Sequence, residues 1–427
     1  MNVLLIGSGG REHAMALKIK QSSKLSKLFC APGNPGTESI ATNVSISITN
    51  NQSVLNLCLH YKIDLVVIGP EQPLVDGLAD YLRNSGVNVF GPSAKAAQIE
   101  SSKAFAKKIM IEAGVPTAKY IEFSESQINQ TTDYLNNATY PLVIKADGLA
   151  AGKGVLICNN LSESQSAIKG IFEEKIFGKS GSKIIIEEFL VGEEASIFAI
   201  TDGEEFICLP AAQDHKRIGD GDTGKNTGGM GAYAPAPIIT PELLKQIENE
   251  IITPILKQMH EIGNKFIGCL YAGLIITKSG VKVIEFNCRF GDPETQVVLP
   301  ILDGDFLQLI NSAADGNLDK NSVKYSGGSS VCVVAASAGY PDDYKRGIEI
   351  SGLDFSDEEI IIYHAGTRKE NNKILTNGGR VLGITSVLKS FDLVSAQKKA
   401  YEAIQKINFD GMYYRNDIGE KAFKNLK

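Results

Sequence analysis

Short apolar runs alternate with amphipathic stretches through the first hundred residues. Strands are predicted at 3–6, 28–31, 65–68 and 87–90, and helices at 12–21, 54–61 and 78–85. A βαβ rhythm of this kind predicts a parallel sheet covered by helices on both faces. Each strand runs into a glycine-rich polar turn: Gly7-Ser8-Gly9-Gly10-Arg11, Pro32-Gly33-Asn34-Pro35-Gly36, Gly69-Pro70-Glu71 and Gly91-Pro92-Ser93. The carboxyl ends of such strands form the ligand crevice of open parallel sheets, so these turns are the first binding candidates. A helix at 103–112 is closed by Gly114 and Pro116. Residues 118–190 read as a compact unit with strands at 142–145, 155–158 and 184–187. Residues 191–326 carry most of the polar motifs. Strand patterns return at 330–336, 360–364, 373–375 and 380–384, with Asn371-Asn372 as a hairpin turn between two of them, before a last helix at 394–407. A chain of 427 residues exceeds a single core. The expected division is an N-terminal α/β domain at 1–102, a connecting helix at 103–117, and units at 118–190, 191–326 and 327–427, the last rich in strands. The fold class is therefore α/β and α+β, multidomain.

The stretch Val281-Lys282-Val283-Ile284-Glu285-Phe286-Asn287-Cys288-Arg289-Phe290-Gly291 carries the sharpest chemical signal. As one extended strand it would turn Ile284, Phe286, Cys288 and Phe290 toward a core and Val283, Glu285, Asn287 and Arg289 to the other face. A carboxylate and an amide oxygen two residues apart suit Mg²⁺, which takes few protein ligands and completes its shell with phosphate oxygens and water. The bland alternative is an edge strand with a solvated polar face. The polar run Gly291-Asp292-Pro293-Glu294-Thr295-Gln296 directly beyond it favours the site.

Two glycine loops invite nucleotide readings. Gly7-Ser8-Gly9-Gly10-Arg11-Glu12 has glutamate where the dinucleotide fingerprint needs a sixth-position glycine, and the second strand ends without the expected acid. The helix start with Arg11 beside it suits a phosphate monoester instead. The loop from Lys145 to Gly154 is not a Walker A loop, because the first glycine is misplaced, Gly154 replaces the hydroxyl residue, and a strand follows. A Gly/Ala loop flanked by Lys145 and Lys153 can fold over a triphosphate as a lid. Gln213-Asp214-His215-Lys216-Arg217 and the run 223–233 form a long polar, glycine-rich insertion, read as ordered and functional. His215 reads as a hydrogen-bonding residue ahead of a general base.

Composition narrows the class. Forty-three per cent hydrophobic and 22% charged residues are ordinary for a globular protein. A net charge of −6 without a basic tract argues against nucleic acid. Seven scattered cysteines exclude a disulfide framework and a structural zinc. Met1 leads straight into a strand, and no apolar run approaches a membrane span. A cytoplasmic, soluble protein with no membrane partner is expected.

Taken in order, Gly7–Ala14, Gly33–Gly36, Gly69–Glu71, Ala146–Val155, 213–217, 226–233, 285–296 and Asn377-Gly378-Gly379-Arg380 resemble the ATP-grasp superfamily. Within it, the chain resembles the phosphoribosylamine–glycine ligase family of purine biosynthesis. Lys225 departs from the pattern, standing where a proline usually precedes Asn-Thr-Gly-Gly-Met-Gly. The resemblance implies an ATP-grasp lid at 118–190 and an ATP-grasp central domain with the metal strand at 191–326. It implies ATP phosphates on Lys103, Lys145 and the loop residues Gly152, Lys153 and Gly154. Adenine would meet Glu187 and Leu190 through the backbone, and ribose Glu193 or Glu194. Gly9, Gly10, Arg11, Asn34 and Glu71 would take 5-phosphoribosylamine. Lys216, Arg289 and Asp214 are the catalytic candidates, the first two for the phosphoryl group or glycine carboxylate, Asp214 for the glycine ammonium. Many relatives add a third metal carboxylate from the preceding strand, but 270–277 contains no acid, so Mg²⁺ or Mn²⁺ would rest on Glu285 and Asn287. The implied reaction joins glycine to 5-phosphoribosylamine with ATP through glycyl phosphate, giving glycinamide ribonucleotide, ADP and phosphate, in a monomeric enzyme. Carboxylating and formate-using purine enzymes, a nicotinamide oxidoreductase and a non-catalytic nucleotide-binding protein are the competing readings.

Overall fold

The computed structural model describes residues 1–149 and 154–424. Five parallel strands open the chain, in the order Thr42–Asn43, Lys27–Pro32, Asn2–Gly7, Leu65–Ile68, Asn88–Phe90. The apolar runs that predicted them are buried on both faces, as a helix-covered sheet requires. Sequence order reverses between Asn2–Gly7 and Leu65–Ile68, so the loops 7–11 and 69–71 leave adjacent strands and come together.

The helix Lys103–Glu112 leads into an antiparallel sheet in the order Tyr120–Ser124, Lys183–Glu188, Leu142–Ala146, Val155–Cys158. Phe123, Leu135, Leu142, Ile144, Ile168, Ile171, Phe172, Ile184 and Ile186 form a core of its own beneath that sheet, separate from the rest. A third sheet, also antiparallel, is ordered Phe206–Cys208, Glu193–Thr201, Gly268–Thr277, Gly280–Asn287.

The strand Gly280–Asn287 departs from the expected alternation. Gly273 pairs with Glu285 but Leu274 with Val283, which leaves Ile284 as the extra residue of a β-bulge. The buried positions are therefore Val281, Val283, Phe286, Cys288 and Phe290. Val283 faces the core, and Ile284 is half-buried, the reverse of the simple two-residue period. The strand also ends at Asn287, so Arg289 lies in the bend beyond it. Glu285 and Asn287 keep their common face, because both follow the bulge.

Two further corrections concern connections. The polar insertion is not free of secondary structure. Gln213–Asp214 and Gly231–Ala234 pair with each other, and a small hairpin joins Arg217–Gly219 to Thr223–Asn226. Both of the first two belong to a sheet completed from the last third of the chain: Gln213–Asp214, Gly231–Ala234, Ser329–Ala336, Arg380–Leu388, Ile360–His364. Asn371 and Asn372 do form a hairpin turn, both with positive φ, but it links Thr367–Glu370 to Lys373–Thr376, not two of the strands anticipated.

Candidate active site

The N-terminal crevice is built around one carboxylate. Gly9 caps the helix Gly10–Lys20, and Glu12 folds back so that Oε2 accepts the Gly9 N–H at 2.6 Å and Oε1 accepts from Arg11 Nε at 2.7 Å. A β-carbon on Gly7 or Gly69 would stand 2.5 or 2.3 Å from the Glu12 side chain. Glutamate thus fills the floor under both loops and takes a backbone donor that a dinucleotide diphosphate would need. Asn34 caps the short helix Pro35–Glu38 through Oδ1, while Nδ2 donates to Ser8 O at 2.9 Å and His364 O at 2.8 Å. Its side chain ties the crevice to the last domain. Gly10 lies against the Gln296 amide, which donates to Asp292 Oδ1 at 2.7 Å. Arg380 reaches the same place, donating to Asp292 O at 2.7 Å and Oδ1 at 3.2 Å.

Arg289 joins this crevice to the metal strand. Its Nε donates to Glu71 Oε2 at 3.1 Å and its Nη2 to Glu100 Oε1 at 2.9 Å, while Glu100 Oε2 accepts the Cys288 N–H at 2.7 Å. Arg11 Nη1 donates to Phe290 O at 3.0 Å from the other side. Burial works to raise the Glu71 carboxyl, but Arg289 and Arg11 outweigh it and hold it below its usual range.

On the opposite side, Asp147 docks the lysine-flanked loop onto the connecting helix. Its Oδ1 accepts the Ala104 N–H at 2.7 Å and its carbonyl accepts the Lys103 N–H at 3.2 Å. Lys103 Nζ donates to Gly148 O at 3.2 Å. Lys145 pairs with Glu187 Oε2 at 2.9 Å and donates to Ile284 O, the bulge carbonyl, at 3.1 Å. Lys107 approaches Glu187 Oε1 at 3.2 Å from below and also donates to Thr117 Oγ1 at 2.7 Å. Burial pulls the Lys107 ammonium down to about 8, with Glu187 opposing the shift. Leu190 is half-buried just past the strand Lys183–Glu188, Glu193 opens the next strand opposite Ile276, and the Gly154 carbonyl accepts the Ala146 N–H at 2.9 Å. Gly152 and Lys153 lie outside the described residues.

Glu285 stands where these elements converge. Burial would raise its carboxyl, yet Lys216, Lys145, Lys103 and Arg289 together hold it below the ordinary range. Opposite it on the neighbouring strand is Gly273, and opposite Asn287 is Tyr271, so the preceding strand contributes no acid. Among the described residues no group of three or more His, Cys, Asp or Glu side chains can hold a metal. Two oxygen donors on one face fit a divalent ion that brings phosphate and water ligands with it, and do not fit a closed protein cage.

Strand alternation explains the third group. Gln213 and His215 point one way, where Gln213 bonds to the Tyr233 hydroxyl and His215 is fully buried. Asp214 and Lys216 point the other, toward the central sheet. Lys216 Nζ donates to Glu194 Oε2 at 2.6 Å and lies 3.9 Å from Asp214 Oδ1. Glu294 is held nearby through Ser196 Oγ, 3.2 Å from its Oε1, and Ser196 in turn shares a hydrogen bond with the Tyr271 hydroxyl. Burial is the main influence on His215 and pushes it down to about 3, so it is neutral and built into the fold. Burial is also the main influence on Asp214, pushing it up to about 7; Lys216 opposes this, and Glu294 and Glu194 add to it.

A carboxyl raised in the folded state contributes stability below the unfolded value near 4 that is lost as pH rises through about 7. Asp214→Asn is therefore expected to stabilise the chain at pH 8 by on the order of 1 kcal/mol or more, and much less at pH 4. Urea unfolding at the two pH values measures it. Equal shifts at both would show that Asp214 is an ordinary carboxylate.

Glu100, Lys107, Asp147 and Arg380 bind this centre together without having been assigned there from sequence. Lys107 follows Lys103 by four residues on the helix Lys103–Glu112, the spacing that would have found it; Glu100 belongs to the preceding helix Ala94–Ser101 and carries no such signal.

Four cations drawn from separate elements around one ionised carboxylate, under a separately folded β-lid, define an ATP-grasp enzyme. The biotin carboxylase domain of a Hydrogenobacter thermophilus 2-oxoglutarate carboxylase shares the fold at 17% identity, with a TM-score of 0.75 over 97% of this chain and 91% of that one. Residues 1–100 match the phosphoribosylglycinamide synthetase N domain, 101–295 its ATP-grasp (A) domain and 330–421 its C domain. The chain belongs to that family, the phosphoribosylamine–glycine ligases, and is an ATP-dependent ligase of purine biosynthesis. It is 47% identical to the phosphoribosylamine–glycine ligase of Brucella melitensis, covering 100% of this chain and 99% of the relative. The Caldanaerobacter subterraneus enzyme of that name is 45% identical, with 98% and 99% covered. The crystal structure of the Thermotoga maritima phosphoribosylamine–glycine ligase superposes with a TM-score of 0.84 at 32% identity, covering 98% of this chain and all of that one. No helix among the described residues is long and apolar enough to cross a membrane.

Proposed function

We propose that this chain joins glycine to 5-phosphoribosylamine through a glycyl phosphate, releasing ADP and phosphate and giving glycinamide ribonucleotide. The observation that carries the reading is that Lys216, Lys145, Lys103 and Arg289, from separate elements, all act on the Glu285 carboxyl and hold it ionised. A fixed set of cations beside an ionised carboxylate is what phosphoryl transfer needs, because the chemistry is mostly positioning and charge stabilisation. A carboxylate is a poor acceptor for an amine. The γ-phosphoryl group therefore moves first to a glycine carboxylate oxygen, with ADP leaving. The phosphoribosylamine nitrogen then attacks the carbonyl carbon; the C–N bond forms, the C–O bond to phosphate breaks, and the nitrogen loses a proton. No protein nucleophile is required.

Lys103 and Lys145 would hold the triphosphate, together with Gly152, Lys153 and Gly154. Glu187 and Leu190 would meet the adenine through their backbone, and Glu193 or Glu194 the ribose. Glu285 and Asn287 would hold Mg²⁺ or Mn²⁺, which when bound would supply further charge neutralisation at the phosphates. Around Lys216 the acids Asp214, Glu194 and Glu294 outnumber the ammonium, and an incoming glycine ammonium on Asp214 would redress the balance. Lys216 and Arg289 would face the carboxylate end. Gly9, Gly10, Arg11 and Glu71 line the crevice for phosphoribosylamine, with Asn34 holding the crevice loop. Closure of the lid would keep water from the acyl phosphate.

The test is ADP release with glycine and freshly generated phosphoribosylamine, each omitted in turn. Release that needs glycine is expected. Stimulation by bicarbonate or formate in its place would overturn the reading.

A further inference from the structure

Residues 413–421 grip the hairpin that follows Lys216. Arg415 is fully buried and uses its whole fork. Nε and Nη2 bind Asp417 Oδ1 and Oδ2 at 2.7 and 2.6 Å, and Nη1 binds Arg217 O at 3.0 Å and Asp222 Oδ1 at 2.9 Å. Lys421 takes the other oxygen of Asp222 at 2.6 Å. Asp417 Oδ2 also accepts the Gly221 N–H at 2.8 Å, and Asp220 accepts the Asn416 N–H at 2.8 Å. The Tyr413 hydroxyl donates to Ile218 O at 2.8 Å, and the Gly419 N–H points at His215 Nε2 at 3.4 Å. Six of the residues between 215 and 222 are thus held from a segment about two hundred positions away.

A buried bidentate Arg–carboxylate pair is far more organised than the hairpin needs merely to exist. What it holds in place is the back of the strand that carries Asp214 and Lys216 on its front. His215 sits between them, with its ring on the clamp side and its backbone bonded to Gly231 O at 2.9 Å and from the Met230 N–H at 2.8 Å. Thr227 fixes the Lys216 carbonyl from the far arm of the hairpin, with its N–H at 2.8 Å and its hydroxyl at 2.9 Å. Lys216 is therefore fixed in the chain direction by the clamped hairpin and in the lateral direction by the sheet.

We propose that Arg415 is a positioning residue for glycine: acting through Asp222, Asp417 and the 217–226 hairpin, it sets where Asp214 and Lys216 stand relative to Glu194 and Glu285. This rests on the reading of Asp214 and Lys216 as the glycine-binding pair. A displacement of about 1 Å in such a pair lowers the rate by about 10²-fold.

The experiment compares Arg415→Lys and Asp222→Asn with the unaltered chain, alone and combined with Lys216→Ala. Arg415→Lys keeps the charge and loses the fork. Asp222→Asn keeps the shape at a position with φ of 56°, which asparagine tolerates, and gives a folded variant should Arg415→Lys fail to fold. Expected are a rise in glycine KM or a fall in kcat/KM for glycine of about 10–100-fold for Arg415→Lys and a smaller one for Asp222→Asn. ATP KM should stay within about twofold, and neither variant should add a further loss in the Lys216→Ala background. A fall in kcat that tracks the folded fraction with glycine KM unmoved would overturn the proposal, as would additive losses. Should Lys216→Ala alone leave glycine kinetics unchanged, the assignment of Lys216 fails and the positioning role fails with it.

Discussion

Glu285→Gln is expected to cut ADP formation by about 10²–10³-fold while the chain still folds. The substitution keeps the side chain's length and changes only its charge. Gly273 across the strand pair leaves the amide room, and the bulge at Ile284 that aims the side chain belongs to the backbone. What disappears is the anion around which Lys216, Lys145, Lys103 and Arg289 are gathered. The cations lose the anion they share, and a divalent ion would meet two neutral amide oxygens in place of a carboxylate and an amide. Single-turnover ADP formation at saturating ATP and Mg²⁺, with circular dichroism as the folding control, measures the effect. Turnover at the native rate would mean that the metal strand is only a polar edge.

Lys145→Met is expected to have the second largest effect, and a double one. Lys145 binds the Glu187 carboxylate and the Ile284 carbonyl at once, so it links the lid sheet to the bulge of the metal strand. Removing one partner of a buried ion pair typically destabilises by about 3–5 kcal/mol, and the low end applies because Lys107 still compensates Glu187. Activity should fall by about 10²-fold through a raised ATP requirement, since the lost ammonium is also one of the two proposed to hold the triphosphate. Thermal unfolding with and without ATP separates the two parts: the native chain should gain stability from ATP and the variant little. Equal gains would place the nucleotide elsewhere.

The elements most legible in the sequence were those whose pattern is local. The parallel strands and the helix at 103–112 follow from periodicity and spacing alone, whereas Asp214 and Lys216 come from the family resemblance. The bulge follows from neither, because nothing in Val283-Ile284-Glu285 marks which residue is unpaired; Gly273 on the partner strand decides it. The sequence marks Arg289 as a catalytic candidate but does not show its two carboxylate partners, Glu71 and Glu100, which come from segments about two hundred residues away. The strand content of 213–233 was hidden for the same reason. Gln213–Asp214 is too short to carry a period, and Gly231–Ala234, which pairs with it, takes its other partner from Ser329–Ala336. Sequence shows the chemistry of a side chain more readily than the company it keeps.

The sheet shared between 213–234 and 329–388 has a consequence for how the protein is made. Arg217 and the guanidinium that grips it are 198 residues apart. At ribosomal rates of about 5–20 residues per second, the hairpin after Lys216 waits roughly 10–40 s for its clamp to emerge. Early in that interval Gly231–Ala234 lacks its partner Ser329–Ala336 and has an open edge, exposed to any other nascent strand. The half proposed to hold nucleotide can mature during translation, but the half proposed to hold glycine waits for nearly the last residues. A newly made chain is therefore expected to bind ATP before it can use it.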